Sequence, residues 1–387
     1  MIYLDNAATT KPYQEVIDVM VDVMQNHWGN PSSTYALGDD ARKIIEYVRE
    51  QIAEDINASS DEIIFVGNAC EANSLAIQGY LKAHNGARWW TTHMEHASIH
   101  NMPHAMFVEN DEQGFVKLQP TFLKYSRSLT EFPPYKSLVS IGAANGEIGT
   151  IQDLKSIAQI VHDCDCLLHT DATQLYPERR IDVNKLGIDM MSVSAQKFGG
   201  PRGTGFLYVK KGIELAPIIY GSQENALRGG TYNTPAIAGM GEALSVTRHL
   251  NMLGMQDHIE GLRDYLLYKL LQIPGTTLNG APIGLNRLAN NINLTIDGVN
   301  AEKLVTLCSL YDGLYIGKGS ACQSYDPKPS HVLQAIGLAD EFGFDSERAF
   351  NTIRITIGHE NTEAEINMAA KIITQMVERI REDEDNS

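Results

Sequence analysis

Between about residue 60 and residue 210 the chain repeats one pattern: a short apolar run, a polar turn, then apolar positions at helical spacing. The run 63–66 precedes a helix predicted over 71–83, and 138–141 precedes one predicted over 154–162. The runs 166–169 and 190–194 lead into Asp171 and Lys197, and 205–209 closes the set. Apolar strands that take turns with helices predict an α/β fold, its largely parallel sheet covered on both faces. In such a sheet ligands bind beyond the carboxyl ends of the strands. After about residue 250 the texture changes. A helix is predicted over 255–272 and a strand over 290–296. Then come a helix over 301–310, a glycine-rich stretch at 317–322 and a strand over 352–357. This predicts a smaller α+β domain joined near residue 250.

The 387 residues suffice for two domains and a generous core. A formal charge of −17 argues against nucleic acid as the main partner, because phosphate binding needs a basic surface. The acidic run 381–387 is expected to be a solvated tail. No apolar run approaches the roughly 20 residues that span a bilayer, and residues 1–10 lack the basic start of a secretory signal. A cytoplasmic protein without a membrane partner is expected. The five cysteines show no disulfide framework, and Cys164 and Cys166, beside Leu167 and Leu168, are expected to pack in the core rather than bind metal.

Candidate chemistry begins at Ser194-Ala195-Gln196-Lys197. A lysine directly after an apolar strand is well placed to project into a cleft, where desolvation favours its neutral, nucleophilic amine; taken alone, the motif reads more readily as a surface lysine beside the glycine-rich loop 199–205. Asp171 also stands at a strand end, in His169-Thr170-Asp171-Ala172-Thr173-Gln174. A Schiff-base lysine together with a carboxylate for a pyridinium nitrogen is the pair that pyridoxal 5'-phosphate chemistry needs. A helix cap is the alternative role for the aspartate. The turn Gly67-Asn68-Ala69-Cys70-Glu71, between a strand and a helix, offers backbone amides for a phosphate.

These motifs fall into a longer series. It runs from Ile2-Tyr3-Leu4-Asp5-Asn6-Ala7-Ala8-Thr9-Thr10 and Gly29-Asn30-Pro31-Ser32-Ser33 through Glu95-His96 and Asn145-Gly146-Glu147-Ile148-Gly149. It ends with Arg228-Gly229-Gly230-Thr231, Gly319-Ser320-Ala321-Cys322 and Ile353-Arg354. In order and spacing the chain resembles, almost end to end, the NifS/IscS-type cysteine desulfurases, a branch of the class V aminotransferase group. The resemblance implies the fold-type I architecture of pyridoxal-phosphate enzymes. It implies a large cofactor domain over 16–250 and a small domain from 1–15 and 251–387. It also implies that Lys197 carries the cofactor and moves the Cα proton. His96 would stack on the ring and act in acid–base steps, Asp171 would pair with the ring nitrogen, and Gln174 would contact the phenolic oxygen. Ser194, Gln196, Ala69 and Cys70 would hold the phosphate, with Thr231 reaching across from a second subunit. Arg354 would clamp the substrate carboxylate near Asn145. Cys322 would take the sulfur of L-cysteine as a persulfide, release L-alanine and pass the sulfur to an acceptor, an iron–sulfur scaffold or a tRNA-thiolation enzyme. A homodimer is implied as well.

Three positions depart from the family pattern. Cys70 replaces a threonine in the phosphate turn, Gly146 an asparagine, and Gln196 the histidine before the lysine. Each lost hydrogen bond is worth on the order of 1 kcal/mol of cofactor affinity. These departures keep two further readings open: another pyridoxal-phosphate enzyme (a selenocysteine lyase, a β-elimination lyase or an aminotransferase), or a diverged, non-catalytic sulfur carrier or scaffold.

Overall fold

The computed structural model of the chain describes residues 1–119, 136–319, 328–340 and 346–385. Strand β1 (Ile2–Tyr3) begins the chain. Strands β2 (Ile63–Val66), β3 (Trp89–Thr92), β4 (Met106–Val108), β5 (Leu138–Ser140), β6 (Leu167–Asp171), β7 (Met190–Ser194) and β8 (Gly205–Val209) form a seven-stranded sheet in the order β2-β8-β7-β6-β5-β3-β4. The β7–β6–β5–β3–β4 part is parallel, and β8 runs antiparallel to both neighbours.

The α/β arrangement expected from the apolar runs is therefore present, and its reason is visible in β7 and β8. Met191, Val193, Phe206 and Tyr208 pack into one apolar cluster with Ile45, Val48 and Ile52 of the helix Ala36–Ile56. Met190, Leu207 and Val209 point the opposite way, onto Leu75 and Tyr80. A strand buried on both faces has no polar face to alternate with.

The second sheet is antiparallel, in the order β12-β10-β9, from β9 (Thr276–Leu278), β10 (Asn291–Ile296) and β12 (Thr352–Thr356). Strand β11 (Leu314–Tyr315) pairs with β1. The helices Met255–Leu270, Ala301–Asp312 and Glu363–Asp385 cover it, and Leu4 is buried in the same cluster as Leu294, Ile355 and Ile373. From there the N-terminal segment crosses to the large sheet, where the Thr10 amide donates to the Gln196 carbonyl at 3.0 Å.

Several elements differ from the sequence reading. The helix expected from residue 71 starts at Ala69, because the Asn68 side chain accepts the Glu71 amide and caps it. It is interrupted by a π-helical turn at Leu75–Gly79, where the Gly79 carbonyl accepts the Ala216 amide. The helices Gln14–Asn26, Ala36–Ile56 and Thr234–Met252 were not anticipated. The acidic run expected as a solvated tail continues the last helix to Asp385, and Arg381 Nη2 ties it to the carbonyls of Pro274 and Asp297. Cys164 and Cys166 are buried, as expected. Among the described residues no helix is long and apolar enough to cross a membrane, and no cluster of metal-binding side chains is found.

Candidate active site

The carboxyl ends of five strands open into one cavity of about 430 Å3. From β2 come Asn68, Ala69 and Cys70, from β3 Glu95 and His96, and from β5 the loop Gly142 to Glu147. Strand β6 brings Asp171, Thr173 and Gln174, and β7 brings Ser194, Gln196 and Lys197. Ala7, Ala8, His331 and Arg354 close it from the N-terminal segment and the C-terminal third of the chain.

Lys197 Nζ donates to the carbonyls of Ala7 at 2.5 Å and Ala8 at 2.8 Å. Asp171 uses both carboxylate oxygens: Oδ1 accepts the Thr173 amide at 3.0 Å, and Oδ2 accepts Asn73 Nδ2 at 2.8 Å. The phosphate-turn candidate is firmly braced. Glu71 Oε2 accepts the Gly67 amide at 2.7 Å, and Glu71 Oε1 accepts Arg228 Nε at 2.8 Å. The amides of Ala69 and Cys70 open the helix and have no carbonyl one turn below them. Arg354, almost fully buried, donates from Nη2 to Asp5 Oδ1 at 2.8 Å, while its Nε has no partner among the described residues.

Burial sets the charge states around the rim. It pushes Glu95 up to about 7, even though the Thr92 hydroxyl and the Gly142 amide donate to its carboxylate. Burial likewise pushes Glu147 up to about 7, against the Ser330 hydroxyl and the Arg354 charge. It drives His331 down to about 4. That ring donates from Nε2 to the Glu95 carbonyl at 2.8 Å and stacks on His100 with centroids 4.3 Å apart.

The residues singled out by sequence are thus gathered, with two exceptions. Thr231 is exposed and outside this cavity. Cys322 lies outside the described residues. Asn145 lines the cavity, but its side chain is spent on the turn: Nδ2 donates to the Met94 carbonyl and Oδ1 accepts the amides of Glu147 and Ile148. Sequence reasoning missed Asn73, Glu147, Arg202 and His331. Asn73 carried a signal, since an asparagine is a poor helix former and stands inside an otherwise apolar helix face.

The donor set fits pyridoxal phosphate. One wall holds the amine of Lys197 and another the Asp171 carboxylate. The helix-opening amides of Ala69 and Cys70 and the buried Ser194 hydroxyl can meet an anion. The hydroxyl of Thr173 is buried on the cavity wall without a partner among the described residues.

Residues 2–368 match the family model described as aminotransferase class-V. The cysteine desulfurase IscS of Dictyoglomus turgidum is 36% identical over 395 residues, covering 98% of this chain and 95% of that protein. A solved NifS-like protein superimposes with a TM-score of 0.84 at 30% identity, over 97% of this chain and 99% of that one. A structure described as SspA in complex with cysteine superimposes with a TM-score of 0.75 at 29% identity, over 94% and 100%.

Proposed function

The chain belongs to the class-V aminotransferase family, and on that premise we propose that it is a cysteine desulfurase that uses pyridoxal phosphate. L-cysteine and an enzyme thiol become L-alanine and an enzyme persulfide. The observation that carries this reading is the meeting of Lys197, Asp171, His96 and Arg354, far apart in sequence, around one cavity.

Bound pyridoxal phosphate supplies a conjugated, electron-accepting ring that stabilises negative charge at the substrate Cα. Lys197 holds the cofactor and carries the Cα proton on Nζ. Asp171 accepts a hydrogen bond from the ring nitrogen with lone pairs not used by Thr173 and Asn73. Ser194, Gln196 and the amides of Ala69 and Cys70 bind the phosphate. Gln174 lies on the phenolic side, and His96 exchanges protons through its imidazole. Arg354, oriented by Asp5, turns its remaining N–H groups to the substrate carboxylate beside Asn145. Cys322 accepts the sulfur and passes it to an acceptor protein, with iron–sulfur cluster assembly as the destination we favour.

We place the large domain at 16–250 and the small one at 1–15 with 251–387; the separate apolar cores, with Leu4 in the second, support that division. A cytoplasmic homodimer completes the proposal. The helix Gln14–Asn26 buries Val16 and Val23 yet exposes Ile17, Val21 and Met24, and Trp28 follows at 68% exposure. A second copy would cover this stripe and would place Thr231 at its partner's phosphate; a solution mass of one chain counts against it.

The test is direct. The purified protein should be yellow and convert L-cysteine to alanine and, with a reductant, sulfide. Lys197→Ala and Cys322→Ala should each abolish turnover, and retained activity in both would sink the proposal.

A further inference from the structure

Asn73 is fully buried in the helix Ala69–Ser74 that the phosphate turn opens, and it is shielded from solvent. Its two amide hydrogens go to two different places. One donates to Asp171 Oδ2 at 2.8 Å and the other to the Ser98 hydroxyl at 2.9 Å. The assignment of nitrogen and oxygen is forced, because the flipped amide would set a carbonyl oxygen against the Asp171 carboxylate. Having accepted from Asn73, the Ser98 hydroxyl has its own proton left to give. Its neighbour is His96 Nδ1 at 2.8 Å. The backbone amide of Ser98 points at the same nitrogen from 3.2 Å, so that the imidazole caps the short helix Ala97–His100. Two donors converge on one ring nitrogen, and only an unprotonated Nδ1 can receive them. The neutral ring therefore carries its proton on Nε2.

We propose that Asn73 is a positioning residue that couples the two reacting groups of the site: it holds Asp171 with one hydrogen and, through Ser98, fixes His96 as the Nε2–H tautomer with the other. This rests on the proposed function only in assigning chemistry to Asp171 and His96. One side chain at the back of the pocket thereby keeps the carboxylate oriented as an acceptor and dictates which imidazole nitrogen holds an exchangeable proton. Neither group could be reset without disturbing the other.

The test uses full-length protein labelled with 15N-histidine, with and without pyridoxal phosphate, the His96 ring signals being identified by their loss in His96→Gln. The native protein should show Nε2 protonated and Nδ1 bare. In Asn73→Asp the introduced carboxylate accepts from the Ser98 hydroxyl and turns its proton away from His96. Nδ1 then keeps only the Ser98 amide as a donor, so a fraction of the rings should carry the proton on Nδ1, and the pH midpoint of the cofactor absorbance should move by about one unit through the Asp171 arm. Asn73→Ala should leave a mixture of tautomers. Should the Asn73 variants fail to fold, Ser98→Ala breaks the histidine arm alone: the ring signals should change and the absorbance titration should not. With cysteine, Asn73→Ala should lose about tenfold or more in kcat with KM within about twofold. An unchanged Nε2–H tautomer in the Asn73 variants, or in Ser98→Ala alone, overturns the coupling. The ring signals are read without substrate, so a protein that fails to turn over cysteine refutes the function and leaves this test standing.

Discussion

The Gln174 side chain lies directly over Gly146: a Cβ built on that glycine would stand 2.7 Å from Gln174 Cδ and Nε2. The position at which the family carries an asparagine is here filled by a neighbour from the end of β6. Gln174 Nε2 also donates to the Ala7 carbonyl at 3.3 Å, which links it to the N-terminal wall. The absence of a side chain at 146 and the placement of Gln174 are one feature, since no second side chain fits there without moving the first.

Gly146→Ala is therefore expected to displace Gln174 and weaken cofactor binding by several-fold, the loss of about one neutral hydrogen bond. Equilibrium titration with pyridoxal phosphate, followed by absorbance, checks it. Unaltered affinity would mean that Gln174 makes no contact of consequence with the cofactor.

Asp5 orients Arg354 across the junction of the N-terminal segment and β12. Asp5→Asn keeps the shape and removes the charge. KM for cysteine should rise about tenfold while kcat changes less, because the arginine loses its fixed direction rather than its charge. A fall in kcat at constant KM would count against the clamp.

Arg228 and Glu71 form a partly buried pair that braces the turn at Gly67. Arg228→Ala leaves the carboxylate half-buried and unpaired, at a cost of about 1–3 kcal/mol. A lower Tm together with faster cofactor loss on dialysis is expected. A lower Tm with native cofactor retention would separate the turn from phosphate binding.

Burial pushes Glu178, away from the main cavity, up to about 7, though the Ala289 amide donates to its Oε2 and the charge of Arg179 lies nearby. A carboxyl raised on folding holds its proton more tightly in the folded chain. The stability it contributes is full below about pH 4 and drains away as pH rises through about 7. Glu178→Gln should flatten this decline and raise stability above pH 7 by on the order of 2 kcal/mol, discounted for partial exposure. Tm measured against pH, native beside variant, decides it; parallel curves would exclude Glu178 as a source.

What the chain order alone determined was the large sheet and the placement of the candidate residues Asp171 and Lys197 at its strand ends. Runs such as 190–194 and 205–209 must be buried on both faces, and Asp171 and Lys197 follow such runs directly. The resemblance then tied those positions to a family, because its motifs are contiguous in sequence. Asn73 showed only as a polar residue on an apolar helix face, and the roles of Glu147 and His331 were invisible at that level. Their importance lies in hydrogen bonds to Asp171, Ser330 and the Glu95 carbonyl, partners 98, 183 and 236 positions away. The same holds for Arg354 and Asp5, 349 positions apart. Local periodicity reports which face of an element is buried, and it carries no record of which distant side chain waits there. The tautomer of His96 and the filling of the space above Gly146 were decided only when the strands closed on one another.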